Sequence, residues 1–149
     1  MTTLRHEIRI EVPVGRVWQA IAGDLTAVQH YNETVASARL LGDQREGVGA
    51  ARRCELKPQG FVEERVWEWR PNQAIGLEVS ASPWPIVFMK WKTELVEEGQ
   101  ATLVRQELSY QLKFGPIGSL LNALVMRRKL DGGVRAVFES LKGYLERSP

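Results

Sequence analysis

The last long segment of the chain reads GPIGSLLNALVMRRKLDGGVRAVFESLKGYL, from Gly115 to Leu145. Its apolar residues recur every three or four positions, which is the spacing of one face of an amphipathic helix. The pattern therefore predicts one long helix that buries a broad apolar face. That face would comprise Ile117, Leu120, Leu121, Leu124, Val125, Leu130, Val134, Val137, Phe138, Leu141, Tyr144 and Leu145.

Upstream of that segment, from about Leu4 to Phe114, apolar residues recur mostly at every second position. This period is typical of strands that bury one face. The first strand ends near Pro13, and the spacing from Val14 to Ala22 predicts a short helix, which a second short helical turn and further strands follow. The whole pattern predicts an α+β protein in which an antiparallel sheet of about seven strands grips the C-terminal helix.

The composition excludes several classes of protein. The 149 residues carry 20 basic and 18 acidic side chains, and this net charge of +2 is too balanced to predict a nucleic-acid partner. The single cysteine excludes an internal disulfide and favours a reducing cytoplasm. The N-terminus lacks the apolar stretch of a signal peptide, and nowhere do about 20 apolar residues follow one another. The sequence thus predicts one soluble, cytoplasmic domain over residues 1–149.

Four stretches occur in a characteristic order: IEVPVGRVW at Ile10–Trp18, GVGAARRC at Gly47–Cys54, FVEERVWEWRP at Phe61–Pro71 and GPIGSLL at Gly115–Leu121. Together they resemble the START-like (SRPBCC) superfamily, and most closely its bacterial polyketide cyclase/dehydrase group. The resemblance implies a helix-grip (Bet v 1-like) fold, in which a strongly curved sheet wraps around the C-terminal helix and leaves a cavity for an apolar or amphipathic molecule. Because this superfamily includes lipid carriers, quinone-binding proteins and aromatase/cyclases, the resemblance implies no particular reaction.

The turn at Pro58-Gln59-Gly60 decides which side chains of the adjoining strands face the interior. If three residues close this hairpin, Cys54 pairs with Glu64 and Arg52 with Val66, and Cys54 and Glu64 lie on the inner face. A buried carboxylate is costly unless it has a partner. Glu64 therefore either forms an ion pair, for example with Arg52, or contacts a ligand. The superfamily position that Glu64 matches often faces the cavity.

A rival register reverses these faces. It turns Arg65, Trp67 and Trp69 inward and Glu64 outward. A β-bulge would mix the two arrangements, because one extra residue shifts the alternation of side chains. The sequence leaves these alternatives open, and with them the surroundings of Cys54, whose thiol is more typical of a buried structural residue than of a nucleophile.

Two polar residues interrupt the apolar face of the last strand. Gln106 and Tyr110 alternate with Val104, Leu108 and Leu112. Polar groups in such surroundings are suited to orienting a ligand inside an apolar pocket. The alternative is that buried backbone groups or water satisfy both of them.

His6 lies on the apolar face of the first strand. A histidine there is a candidate general base, because imidazole titrates near neutrality. The favoured interpretation is a hydrogen-bonded core residue. The two histidines, His6 and His30, lack the cysteine or carboxylate spacing of a metal site, so the sequence predicts neither a metal nor a cofactor.

The leading hypothesis is a protein that binds a small hydrophobic or amphipathic molecule, such as a lipid, a quinone or a polyketide, between the sheet and the C-terminal helix. Glu64, Gln106 and Tyr110 would orient the polar end of the ligand, beside Cys54. The apolar walls would come from Leu77, Val79, Met89, Trp91, Leu108, Leu124 and Phe138.

The alternative is a polyketide cyclase or dehydratase. In such an enzyme Glu64 or His6 would move protons, Tyr110 would stabilise an enolate, and the pocket would restrain the conformation of the substrate. The sequence offers no acid–base pair at a fixed spacing to favour this alternative.

A basic run, Arg127-Arg128-Lys129, follows the apolar residues of the first helical turns. Such a run either docks on an anionic membrane or is a solvated helix face, and the sequence favours the solvated face. An exposed edge strand or apolar helix face would support a homodimer, so both a monomer and a homodimer agree with the sequence.

Overall fold

A single antiparallel sheet organises the molecule. The computed structural model describes residues 1–147. The seven strands lie in the order β1-β7-β6-β5-β4-β3-β2, so β1 and β2 form the two edges. The sheet is curved and holds the C-terminal helix, which confirms the predicted helix-grip fold. Its strands are β1 (Thr2–Ile10), β2 (Val35–Leu41), β3 (Ala51–Leu56), β4 (Phe61–Arg70), β5 (Ala74–Ala81), β6 (Ile86–Glu98) and β7 (Ala101–Leu112).

Two short helical segments join the edge strands β1 and β2. The first is α1 (Val14–Trp18), which continues as a π-helical turn over Gln19–Gly23. The second is a 3₁₀ turn over Leu25–Ala27, which continues as α2 (Val28–Tyr31). Their apolar residues are buried against one end of the sheet, so these segments close that end.

The C-terminal helical segment consists of α3 (Gly115–Leu121), a π-helical turn (Asn122–Met126) and α4 (Arg127–Arg147). It runs without interruption, because the residues at both junctions have right-handed helical dihedral angles. In α4, the side chains of Phe138, Leu141 and Leu145 are buried against the sheet and the short helices.

The expectation of one buried apolar face along this whole segment is wrong. Ile117, Leu120, Leu121, Leu124 and Val125 are 42–74% exposed. The sheet covers the opposite side of the helix, where Gly118 is buried, Asn122 bonds to Tyr110 and Met126 packs on the core. The predicted apolar face thus combined residues of two apolar stripes that lie on different sides of the helix.

The β3–β4 hairpin places Glu64 on the inner face, although not with the predicted partners. Cys54 pairs with Val62, and Arg52 pairs with Glu64. The predicted pairing of Cys54 with Glu64 is wrong by two residues, because the Leu56 amide donates to the Gly60 carbonyl and the turn is therefore centred on Pro58 rather than on Gln59. An error of two residues leaves every side chain on its predicted face, since the strand period is two.

A β-bulge in β4 mixes the two registers that the sequence left open. Val66 pairs with Leu77 and Glu68 with Gly76, so one extra residue lies between these pairs. As a result Trp69 turns inward and packs edge-on against Trp18, at 5.0 Å between ring centroids. Trp67 lies on the outer face, where its indole occupies the space that a side chain at Gly76 would need.

Candidate ligand-binding site

Two separate groups of buried apolar side chains line the concave face of the sheet. The first surrounds α1, α2 and the C-terminal part of α4, and it includes Cys54, Leu77 and Phe138. The second lies at the other end of the sheet and consists of Leu4, Met89, Leu108, Tyr110 and Leu112.

Half-buried apolar side chains lie between the two groups. Val79, Trp84, Trp91 and Val134 pack against both groups, and all four keep accessible surface. These four half-buried side chains therefore connect the two groups. Of the seven predicted apolar wall residues, six lie on the inner side, and Leu124 lies outside on the exposed helix face.

A row of polar side chains crosses the concave face between the two groups. His6 pairs with Gln106 across β1 and β7, and Gln106 pairs with Thr93 across β7 and β6. The Gln106 amide nitrogen donates to the Thr93 hydroxyl at 3.2 Å. The sequence identified His6 and Gln106 as polar interruptions but not as neighbours, because only the strand register brings them into one row with Thr93.

His6 is held by an aspartate from the long helix. Its Nε2 lies 2.7 Å from Asp131 Oδ1, and the His6 side chain is 5% exposed against 39% for Asp131. Asp131 Oδ2 also accepts from Arg135 Nε at 3.0 Å. The hydrogen bonds from Arg135 and His6 hold the pKa of the Asp131 carboxyl below its usual value. His6 Nδ1 is buried and has no hydrogen-bond partner within residues 1–147.

The sequence did not single out Asp131. The signal was present, because Asp131 is the one acidic residue between Gly115 and Phe138. Its contact with His6 joins positions 125 residues apart, however, and no local pattern reports such a contact.

Glu64 forms a buried ion pair with Arg52. The Glu64 side chain is 4% exposed and that of Arg52 is 6% exposed, and Arg52 Nε donates to Glu64 Oε1 at 3.2 Å. Arg52 Nη1 also donates to the Leu25 carbonyl at 2.9 Å, which ties this pair to the short helical segments. The ion pair with Arg52 was one of the two alternatives that the sequence left for Glu64. Glu64 Oε2 remains buried without a hydrogen-bond partner among the described residues.

The neighbours of this ion pair stay protonated at neutral pH. Burial raises the pKa of the Cys54 thiol to about 11. Burial also raises the pKa of the Tyr31 hydroxyl to about 12. A thiol with such a pKa is a poor nucleophile, because the thiolate is the reactive form. Cys54 Sγ instead lies 3.8 Å from Glu64 Oε1, as a weak hydrogen-bond donor.

Tyr110 connects the sheet to the first turns of the C-terminal helical segment. Its side chain is fully buried, and its hydroxyl donates to Asn122 Oδ1. Asn122 Nδ2 in turn donates to the Thr2 hydroxyl at 3.0 Å. Burial raises the pKa of the Tyr110 hydroxyl. The sequence left three possible partners for the Tyr110 hydroxyl: a ligand, a backbone group or water. In the structure its partner is the side chain of Asn122, on the C-terminal helical segment.

A cleft of about 450 Å³ opens between the edge strand β1 and α4. His6, Ile8 and Phe138 line it from the interior, and Arg135 and Glu139 line it from the helix. A depression of about 490 Å³ on the outer face of the sheet is lined mainly by charged side chains of β1, β6 and β7. His6 of the polar row lines the cleft, and His6 and Gln106 also line the depression.

Within residues 1–147, no helix combines the length and the apolar character needed to cross a membrane. The same residues include no cluster of three or more histidine, cysteine or acidic side chains placed to hold a metal ion.

Comparison with known families assigns the chain to a family. A family described as "Polyketide cyclase / dehydrase and lipid transport" matches residues 1–146. The chain belongs to this family. The resemblance inferred from the sequence is thereby confirmed, and the family description covers both the carriers and the enzymes that the sequence left open. No curated protein matches this sequence.

Solved structures of the same fold share little sequence with this chain. The Zhui aromatase/cyclase from Streptomyces sp. R1128 is 14% identical, with a TM-score of 0.77 over 98% of this chain and 94% of that one. A START superfamily protein from Mycobacterium smegmatis is 12% identical, with a TM-score of 0.77 over 97% of both chains. Ara h 8.0201 is 12% identical, with a TM-score of 0.79 over 99% of both chains. At these identities the likeness establishes the fold alone.

Proposed function

We propose that this protein binds a small amphipathic molecule between the two apolar groups of the concave face. The observation that carries the proposal is that the half-buried apolar side chains of Val79, Trp91 and Val134 lie between the two groups, together with the polar row of His6, Gln106 and Thr93. Apolar walls with a few polar groups are typical of small-molecule sites. A lipid, a quinone or a polyketide has the required combination of an apolar body and a polar end.

Two groups are suited to the polar end of the ligand. Gln106 lies half-buried in the polar row. Glu64 Oε2 is a buried acceptor without a partner, and such an atom is stabilised by a donor from a ligand. A hydroxyl group on the ligand supplies that donor. Tyr110 is the weakest of the three predicted orienting residues, because its proton is already donated to Asn122.

The proposal is tested by filling the region from the helix. Val134→Trp places an indole between the two apolar groups and should abolish uptake of an apolar fluorescent probe such as anilinonaphthalene sulfonate. Leu124→Asp is the matched control, because Leu124 lies on the exposed side of the same helical segment. Both variants are compared with the wild type by fluorescence titration and by circular dichroism. Unchanged one-to-one binding by a folded Val134→Trp variant would refute this location.

Native mass spectrometry of the freshly purified protein identifies the class of ligand. Organic extraction of a stoichiometric lipid, quinone or aromatic polyketide would supply the compound for titration. The location in the cytoplasm, which the single cysteine favours, belongs to the same proposal.

One observation favours proton-transfer catalysis as a second candidate function. Asp131 holds His6 Nε2 at 2.7 Å, while His6 Nδ1 is buried without a partner beside the polar row. A carboxylate that orients one nitrogen and leaves the other available is the arrangement of a general base. Such a base would remove a proton next to a carbonyl group of a bound polyketide, as cyclisation or dehydration requires.

Two variants separate the carrier from the enzyme once a ligand is known. His6→Gln should keep most of the binding in a carrier, whereas in an enzyme it should lower turnover of bound substrate by about a hundredfold or more. Glu64→Gln keeps the size of the side chain and tests the second proton-transfer candidate in the same way. Turnover is followed by mass spectrometry of the ligand after incubation. No chemical change in the wild-type complex would leave the carrier as the function.

A further inference from the structure

The first turns of the C-terminal helical segment carry an apolar surface that no other part of residues 1–147 covers. We call it the outer helix patch, and it consists of Phe114, Ile117, Leu120, Leu121, Leu124 and Val125, all exposed. Soluble proteins rarely expose so many large apolar side chains side by side, and such patches mark interaction sites.

The outer helix patch cannot turn toward the sheet. The opposite side of the helix is fixed by the hydrogen bonds from Tyr110 to Asn122 and from Asn122 to Thr2. Gly118 also packs so closely that an added Cβ would lie 2.0 Å from the Lys113 carbonyl oxygen. The exposure of the patch is therefore a consequence of how the helix is anchored.

The charged side chains of the segment that carries the patch are all positive. Between residues 113 and 130 the chain has four basic residues and no acidic one. These are Lys113, just before the patch, and Arg127, Arg128 and Lys129, one turn after it, and all four are exposed. The whole chain carries a net charge of only +2, so this segment concentrates positive charge that the rest of the molecule offsets.

From this combination we infer that the outer helix patch docks on an anionic lipid surface. A helix with an exposed apolar side and flanking lysine or arginine inserts its apolar residues at the boundary of head groups and acyl chains, and its cations lie at the lipid phosphates. Leu121 and Leu124 are placed to enter the bilayer interface, and Arg128 lies on the same side of the helix one turn further on.

The charge also argues against a second copy of the chain as the occupant. A two-fold dimer buries the same patch from both copies. It would therefore bring two clusters of four cations close together, with no acidic residue between positions 113 and 130 to compensate them. An anionic membrane supplies the opposite charge over the whole patch.

Sedimentation with lipid vesicles tests the inference. The full chain is mixed with vesicles of phosphatidylcholine alone, or with vesicles that contain equal parts of phosphatidylcholine and phosphatidylglycerol. We expect the protein to pellet with the anionic vesicles only, and to be released by high salt, which screens exposed charges. The absence of binding to anionic vesicles would overturn the inference, and so would equal binding to both kinds.

Paired variants locate the contact. Leu121→Asp with Leu124→Asp should abolish pelleting. Replacing Arg127, Arg128 and Lys129 by Gln should weaken it by about fivefold per residue, or about a hundredfold together. The matched controls are Val48→Asp and Arg45→Gln, which change an exposed apolar and an exposed basic residue of a distant loop. These controls should pellet like the wild type.

A measurement of the oligomeric state in solution distinguishes a dimer interface from a membrane-docking surface. Suppose that the wild type does not bind vesicles and is a dimer, and that the Leu124→Asp variant is a monomer. In that case the patch is a dimer interface and the inference is wrong. Probe uptake by the interior is measured on the same Leu124→Asp protein. Loss of vesicle binding with retained uptake separates this surface from the proposed ligand site.

Discussion

The two halves of the C-terminal helical segment have similar apolar spacing and opposite surroundings. In the second half, α4 buries Phe138, Leu141 and Leu145. In the first half, α3 and the π-helical turn expose Ile117 and Leu124, at 74% and 66%. The comparison teaches that a three-to-four spacing indicates a helix but not which of its sides is covered.

The difference arises from what each half contacts. The second half is tied to β1 and its neighbours, because Lys142 Nζ donates to the Arg9 carbonyl and the Glu11 amide donates to Glu146 Oε2. The first half meets the sheet through the close approach of Gly118, the polar side chain of Asn122 and Met126. One half therefore completes the core, whereas the other is anchored by hydrogen bonds and leaves its apolar side exposed.

The largest expected effect comes from truncating the buried half. Phe138→Ala removes a ring from the core and should lower the free energy of unfolding by about 3–5 kcal/mol. Leu124→Ala removes an exposed side chain and should change it by less than about 0.5 kcal/mol. Urea denaturation of both variants measures the difference. Equal losses would mean that the first half is packed as well as the second.

A smaller, localised effect is expected from the anchor of the exposed half. Asn122→Ala leaves the buried Tyr110 hydroxyl without its acceptor and should cost about 1–3 kcal/mol. Hydrogen exchange should accelerate over residues 115–126 and remain unchanged over residues 137–145. Ser119→Ala, at an exposed position of α3, is the control. Uniform acceleration along both halves would contradict an anchor that acts locally.

The smallest effect concerns Asp131, near the start of α4. Hydrogen bonds from Arg135 and His6 lower its pKa in the folded protein. The stabilisation is therefore fully present above the unfolded pKa of about 3.9 and is lost as the pH falls through the lower, folded value.

Asp131→Asn should remove this part of the acid dependence. Its unfolding midpoint should fall less steeply than that of the wild type as the pH is lowered below about 4. Glu139→Gln, an exposed change on the same helix, serves as the control. Parallel curves for the wild type and Asp131→Asn would show that the contacts of Asp131 with Arg135 and His6 do not contribute to the acid dependence of folding.

Much of the fold was predictable because strand alternation is a local property. Glu64 and Cys54 lie on the predicted inner face even though their cross-strand partners differ from the prediction by two residues. The β4 bulge was recognised as an alternative, but only the pairing with β5 selected it. The polar candidates His6, Gln106 and Tyr110 all face inward. The alternation of side chains along a strand was sufficient to predict this.

The sequence by itself determined the order of the elements, the family and the inward side of each strand, because these depend on neighbours a few residues apart. The tertiary structure alone decided that Asp131 meets His6, that Asn122 takes the Tyr110 proton, and that Leu124 lies outside. The contact of His6 with Asp131 joins positions 125 residues apart, the bond from Tyr110 to Asn122 joins a strand to a helix, and the exposure of Leu124 depends on which side of one helix the sheet covers. A repeating pattern of apolar residues cannot report what packs against each side.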